Sequence, residues 1–260
     1  MKRTILIAVM IALFTGASAQ AQVDSLFFNH VAAGLTLGVD GIGAQVAVPV
    51  TPFLQLRAGY ATGFPIKVTG NFGTHEMDNG HLVHLNSLPI TTWPYKGGLG
   101  QLFVDFFPGK KEVLRISAGL FAGGGKFLSL KADMRESMAS EDYTVLMAKG
   151  DVRFSTDEEG YGYADVLTWK VLPYFGIGTG KAVSSGDKRF VFTFDAGVAF
   201  TGGMKIHTYD FSSGSKEPCP VTSAATVDED GVMLDNGLID LVTGIPVLPV
   251  IKIGLFYKIF

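Results

Sequence analysis

The sequence predicts an all-β fold, an antiparallel up-and-down transmembrane β-barrel of eight strands. Three observations predict it. The chain of 260 residues is 47% hydrophobic, 17% charged and holds 33 glycines, whereas an average soluble domain is roughly 25% charged and about 7% glycine. Its apolar residues recur at every second position, the period of a strand, with no charge inside the apolar face. Its connections alternate between short and long, as they do in a barrel with tight turns at one end and surface loops at the other.

A mean hydropathy of +0.31 normally implies helical spans of roughly 20 uninterrupted apolar residues. The N-terminus alone approaches this, and it reads as a signal peptide. Lys2 and Arg3 are basic, Thr4 to Phe14 are mostly apolar, and the small residues Thr15, Gly16, Ala17, Ser18 and Ala19 follow. Ala17-Ser18-Ala19 predicts cleavage after Ala19, and Ala19-Gln20-Ala21 predicts it after Ala21. The short apolar run and the immediate cleavage site argue against an anchoring helix. Residues 1–21 are thus expected to be removed, leaving 22–260 as a single barrel domain.

The first predicted strand sets Val31, Ala33, Leu35, Leu37 and Val39 against Ala32, Gly34, Thr36 and Gly38, and Asp40-Gly41 supplies a tight turn. The second sets Ile42, Ala44, Val46, Val48 and Val50 against Gly43, Gln45 and Ala47, and ends at Thr51-Pro52. The third alternates Leu54, Leu56, Ala58 and Tyr60 with Gln55, Arg57 and Gly59. In the fourth, Leu102, Val104 and Phe106 oppose Gln101, Phe103 and Asp105; in the fifth, Leu114, Ile116, Ala118 and Leu120 oppose Arg115, Ser117 and Gly119. The sixth sets Val171, Pro173, Phe175 and Ile177 against Lys170, Tyr174, Gly176 and Gly178. The seventh sets Phe190, Phe192, Phe194, Ala196, Val198 and Phe200 against Thr193, Asp195 and Gly197. The last sets Ile251, Ile253, Leu255, Tyr257 and Ile259 against Lys252, Gly254, Phe256 and Lys258.

A soluble sandwich also alternates. The second face decides between the two, because it carries mostly small residues with about one charge per strand. Such a face suits a crowded interior, and the uncharged apolar face suits lipid. The single charges Arg57, Asp105, Arg115, Lys170, Asp195 and Lys252 are then expected to pair inside the lumen, with bases exceeding acids. With both termini on one side, the connections on that side are all short. The others are long, near 61–98, 126–168 and 201–246, apart from the Asp40-Gly41 turn. Tyr60, Phe106, Trp169, Phe200 and Tyr257 fall near strand ends, where interfacial aromatic girdles belong. Asp151–Phe154 and Tyr161–Asp165 read as an external hairpin; its insertion would give the alternative of ten strands.

The chain resembles small eight-stranded outer-membrane β-barrels of Gram-negative bacteria (the OmpA/OmpX-like architecture). The signal peptide, the eight amphipathic strands and the final Phe260 carry the resemblance. More narrowly, Gly38-Val39-Asp40-Gly41-Ile42-Gly43, Leu56-Arg57-Ala58-Gly59-Tyr60, Leu172-Pro173-Tyr174-Phe175-Gly176-Ile177-Gly178 and Leu248-Pro249-Val250-Ile251-Lys252-Ile253 resemble a barrel family of mostly unassigned function. One departure is that Lys258, not an aromatic residue, stands two before Phe260. The resemblance implies the cell outer membrane as location, with outer-membrane lipid and the outer-membrane assembly machinery as partners, and a surface ligand met through the loops.

Chemistry is sparse. His75, Glu76, Asp78, His81 and His84 are metal-ligating types in one loop, but their spacing fits no helical zinc motif, and an exposed polar loop accounts for them. Asp157-Glu158-Glu159 and Asp228-Glu229-Asp230 are acidic tips without the EF-hand pattern. Cys219 is alone, so no intrachain disulfide is expected. No spacing pairs a nucleophile with a base, so no enzyme activity, cofactor or metal is expected. The lack of a basic patch excludes nucleic acid as a partner. Two functions remain. One is a structural or surface-interaction barrel with a lumen filled by polar side chains. The other is a narrow channel or transporter for small apolar or anionic solutes, drawn by the surplus of inward bases.

Overall fold

The computed structural model describes residues 30–70, 74–76, 82–84, 87–109, 114–136, 147–149, 152–184, 188–211, 216–221, 244 and 246–259. The expected signal peptide, Asp78, His81, Asp228–Asp230 and Phe260 lie outside them, as do the side chains of His75, Glu76 and His84. In chain order the strands are β1 (Ala32–Gly38), β2 (Gly41–Thr51), β3 (Leu54–Thr62), β4 (Ile66–Gly70), β5 (Thr74–Glu76), β6 (Leu82–His84), β7 (Leu88–Pro94), β8 (Leu99–Phe106) and β9 (Leu114–Gly123). They continue as β10 (Lys126–Asp133), β11 (Met147–Lys149), β12 (Val152–Phe154), β13 (Tyr161–Leu167), β14 (Val171–Thr179), β15 (Phe190–Phe200), β16 (Lys205–Asp210), β17 (Glu217–Val221) and β18 (Val247–Lys258).

Eight of these close into a barrel in the order β1-β18-β15-β14-β9-β8-β3-β2. All neighbours are antiparallel, and every step except the closing one follows chain order. The closing seam runs from Ala32↔Lys258 to Gly38↔Lys252. Closure pairs the backbone of both end strands, so the barrel wall has no edge, as hydrocarbon requires.

Alternation then sorts the side chains. In β2, Ile42, Ala44 and Val46 are exposed while Gly43, Gln45 and Ala47 are buried. The same pattern runs through β8, β14 and β18. Leu35, Leu37, Leu102, Phe175, Ile177, Phe192, Ile251 and Ile253 form one outward apolar surface. A contiguous patch of this extent is not stable against water, and it marks the barrel as transmembrane. Exposed aromatics stand at both borders: Tyr60, Phe64, Trp169 and Phe200 toward the long loops, and Phe53, Phe106, Phe190 and Tyr257 toward the short turns.

The β1–β2 turn is the tight connection expected. Gly41 has φ +97°, and a Cβ there would lie 2.1 Å from the Thr62 carbonyl oxygen. Only glycine fits the conformation and the approach together.

The three long loops build a second sheet of order β17-β16-β13-β10-β7-β4. This order repeats that of β18, β15, β14, β9, β8 and β3 around the barrel, so six barrel strands continue upward as a rim sheet. Backbone bonds bridge the junction: Tyr95 N–H donates to the Phe127 carbonyl at 2.8 Å, Thr168 N–H to Gly125 at 2.7 Å and Gly123 N–H to Lys170 at 2.9 Å. The β1–β2 hairpin alone has no continuation in this sheet.

The structure corrects the ten-strand alternative. Tyr161–Leu167 does extend the wall, but its partners are β10 and β16 in the rim sheet. Val152–Phe154 pairs instead with Met147–Lys149. The polar side chains of β13, such as the buried Asp165, are at home above the lipid and not within it.

Candidate functional site

The inward side chains fall into three zones along the barrel. At the end near the chain termini, Phe256 packs with Ala32, Ala47, Ala182 and Val183. Toward the long loops, Tyr95, Leu99, Phe103, Phe121, Leu172, Tyr174, Ala199 and Val250 form one cluster, with Phe127 against it. Phe103, Phe121 and Tyr174 meet edge to face with centroids 5.2–5.5 Å apart, a favoured aromatic geometry. Gly176 leaves room for this layer, since a Cβ there would lie 2.2 Å from the Tyr174 hydroxyl. Tyr95 enters from the β7–β8 turn with φ 46°, an unusual conformation for a bulky residue.

Between these zones lies a charge network. Arg57 Nε donates to Asp105 Oδ2 at 2.6 Å, and its Nη2 donates to Asp105 Oδ1 and to Asp195 Oδ1, both at 3.0 Å. Arg115 Nη2 donates to Asp195 Oδ1 at 2.5 Å and Nη1 to the Gly180 carbonyl at 2.7 Å. Arg57 is 1% exposed, and Asp105 and Arg115 are 0% exposed. Lys252 Nζ lies 2.8 Å from Asp40 Oδ2 and donates to Gln101 Oε1 at 2.8 Å. Gln101 Nε2 also donates to Asp40 Oδ2, at 2.6 Å. Gln55 Nε2 and Ser117 Oγ donate to Asp105 at 3.1 and 2.7 Å. Buried charges are tolerated when paired and hydrogen-bonded in this way. Arg57 and Lys252 also lie over the Phe103 ring at 5.1 and 5.4 Å, which couples the charged zone to the aromatic one.

Five of the six charges singled out in the sequence meet here, and Lys170 does not. It is exposed just before β14, outside the lumen, because the strand starts one residue later. Asp40 takes a place the sequence did not suggest. Its position before Gly41 is fully explained by turn chemistry, and only the Gly38↔Lys252 register brings it beside an inward lysine. The described network therefore has three cations (Arg57, Arg115, Lys252) and three carboxylates (Asp40, Asp105, Asp195), not a surplus of bases. The gap lined by Arg57, Phe103, Phe121, Tyr174, Asp195, Val250 and Lys252 leaves no room for a water molecule.

The rim sheet carries a second constellation on one face, fixed by the pairs Lys131↔Tyr163, Ser129↔Asp165 and Asp165↔His207. Lys126 Nζ donates to Asp165 Oδ2 at 2.6 Å, and the Tyr209 hydroxyl donates to the same oxygen. Burial opposes ionisation of Asp165, but the hydrogen bonds from Lys126 and Tyr209 outweigh it and hold the carboxyl below its usual range. The Asp165 hydrogen bond in turn raises Lys126. The Tyr163 hydroxyl donates to Asp157 Oδ2 at 2.8 Å, and burial followed by that bond pushes it up to about 12. Asp157, one of the acidic tip residues, also accepts from the Glu159 and Tyr161 amides at 3.1 and 2.9 Å. Lys131 Nζ sits 3.4 Å from the Tyr161 ring centroid. Lys216 Nζ sits 4.1 Å from both the Tyr163 and Tyr209 centroids and 6.0 Å from that of Phe211. Among the described residues no group of three or more His, Cys, Asp and Glu could hold a metal ion.

No protein family and no curated protein matches the chain. Among solved structures, CarO of Acinetobacter baumannii is similar at 15% identity and a TM-score of 0.48, covering 92% of this chain and 99% of its own. CarO2 of the same organism is similar at 16% identity and a TM-score of 0.48, covering 88% and 98%. A major outer membrane protein from Thermus thermophilus is similar at 14% identity and a TM-score of 0.39, covering 88% and 97%. The barrel assignment rests on the chain's own ladder and outward face, not on these likenesses.

Proposed function

We propose that the protein is an outer-membrane barrel with a closed lumen, whose role is structural or surface-interacting through the rim sheet. The balance of charge in the lumen carries this reading. Three cations meet three carboxylates, each bonded to its neighbours, and aromatic rings seal the side toward the long loops. The channel alternative drew on a surplus of inward bases, and with Lys170 outside and Asp40 inside the central network has none; the further buried base, Lys181, donates to the Pro52 carbonyl at the short-turn end. Outer-membrane lipid is the partner of the apolar face, and the outer-membrane assembly machinery is the partner for insertion. The polar, aromatic rim sheet is the surface offered to a ligand. No nucleic acid, cofactor or catalytic step belongs to this reading.

Planar-bilayer recordings on the folded protein test it. Little conductance is expected. Clear anion-selective conductance that falls in Lys252→Ala would overturn the closed lumen. Anomalous gel migration that heating abolishes, with recovery in the outer-membrane fraction, is expected for the placement; recovery in a soluble fraction would refute it.

A further inference from the structure

The rim sheet holds a three-ring box around an ammonium group. Tyr163, Tyr209 and Phe211 supply the rings, and the Lys216 Nζ is the cation inside it. Three features separate this box from a lysine resting on a surface tyrosine. Tyr209 is buried and its hydroxyl donates to Asp165, itself held by Lys126. The Tyr163 hydroxyl donates to Asp157, which two backbone amides hold in place. Both rings are thus positioned before any ligand arrives, and a hydroxyl donating to a carboxylate makes its ring a richer π-donor. Thirdly, among the described residues no carboxylate or carbonyl accepts a hydrogen bond from the Lys216 ammonium, although the residue is exposed on its outer side. Partial desolvation against the rings, with Lys126 and Lys96 nearby, lowers its affinity for the proton.

A primary ammonium is a poor match for the ring side of such a site, because its N–H groups find acceptors only in the water outside it. A quaternary ammonium has no N–H, is weakly hydrated and gains most from ring faces, which is the chemistry of aromatic cages. Asp157 and Asp165 behind the rings offset the charges of Lys126 and Lys131, which lie 5.9 Å from the Tyr209 centroid and 5.7 Å from the Tyr163 centroid, so the attraction for a cation comes from the ring faces themselves. We propose that this box is a binding site for a quaternary ammonium group of the choline type, with Lys216 as a resident occupant that the ligand displaces. The proposal rests on reading the rim sheet as the recognition surface and is independent of lumen closure. Conductance in bilayers would remove the closed lumen and leave the binding result readable.

The test uses the full chain folded in maltoside micelles, which carry no choline, with folding of each variant checked by heat-dependent gel mobility. Tetramethylammonium chloride is titrated against sodium chloride at constant ionic strength, and the Tyr163 and Tyr209 ring resonances are followed by NMR. Lys216→Ala is expected to bind the cation about tenfold more tightly than the unmodified chain, the equivalent of one cation–π contact no longer displaced. Adding Tyr163→Leu to Lys216→Ala should remove binding, whereas adding Tyr163→Phe, which keeps the ring, should retain it. Vesicles of phosphatidylcholine and of phosphatidylglycerol, with free phosphocholine as competitor, separate a lipid headgroup from a soluble ligand as the source. Equal affinities for Lys216→Ala and the unmodified chain, or binding that survives Tyr163→Leu, would overturn the proposal and leave Lys216 as a structural staple.

Discussion

Arg57 and Asp195 lie 138 residues apart in the chain, yet two hydrogen bonds of 3.1 and 3.0 Å join them across the lumen. Asp195 also accepts from Arg115, so one carboxylate of β15 ties β3 to β9 through the barrel interior. Removing it leaves two guanidinium groups to share the single carboxylate of Asp105 in the barrel interior. Asp195→Ala should therefore destabilise the barrel by about 3–5 kcal/mol. The measurement is the denaturant midpoint, or the temperature at which the folded gel band is lost. A midpoint unchanged from the unmodified protein would show that the network does not stabilise the fold.

Lys170 and Lys252 read alike in the sequence and stand in opposite environments. Lys252 is buried beside Asp40 and Gln101, and Lys170 is exposed. Lys170→Ala should shift stability by no more than about 0.5 kcal/mol, as a surface change does. Lys252→Ala should cost several times more, because it leaves Asp40 buried and unpaired. Parallel denaturant curves of the two variants give the comparison.

The aromatic zone lies inside the barrel on the side of the long loops. Phe103→Ala removes a ring that touches Phe121 and Tyr174 and underlies both Arg57 and Lys252. A loss of about 3–5 kcal/mol is expected for deleting a buried phenyl group. Phe103→Leu, which keeps most of the volume, should recover more than half of that loss, measured on the same denaturant scale.

Gly41→Ala should impair folding. The substitution forces φ +97° on a residue with a Cβ and sets that Cβ 2.1 Å from the Thr62 oxygen. Gly109, where a Cβ would meet nothing within 4 Å, is the control, and Gly109→Ala should fold normally. The fraction reaching the compact gel form during refolding is the readout.

The rim sheet should loosen in acid before the barrel does. Asp165 is held below its ordinary value, so its contribution is present above about pH 4 and is lost as pH falls through the depressed value. Lys126 is raised, so its contribution is present below about pH 10 and is lost as pH rises through the raised value. Amide hydrogen exchange in Lys126–Asp133 and Tyr161–Leu167 should therefore quicken at both limits. Asp165→Asn should remove the acid limb.

The eight barrel strands, and the direction each alternate side chain faces, were legible in the sequence because both follow from a local rule. A strand reverses face at every residue, and a membrane demands apolar side chains on one of them. The tight Asp40-Gly41 turn and the three long connections were legible for the same reason. What Asp40 does beyond its turn was not, since its pairing with Lys252 depends on how β1 and β18 align at the seam. Lys170 misled because a strand's first residue differs from the loop before it by one position, and alternation alone does not mark that border. The rim sheet was hidden in what read as three separate loops. Its strands are short, and although three of its five pairings lie within one loop, the two that unite it, β10 with β7 and β13 with β16, join different loops and leave no local period. The sequence by itself determined the barrel, its two faces and the supply of inward charges. Only the tertiary structure decided which charges meet, that those of the central network balance, and that the Lys216 ammonium meets the Tyr163 and Tyr209 rings, because these depend on register and closure between strands far apart in the chain.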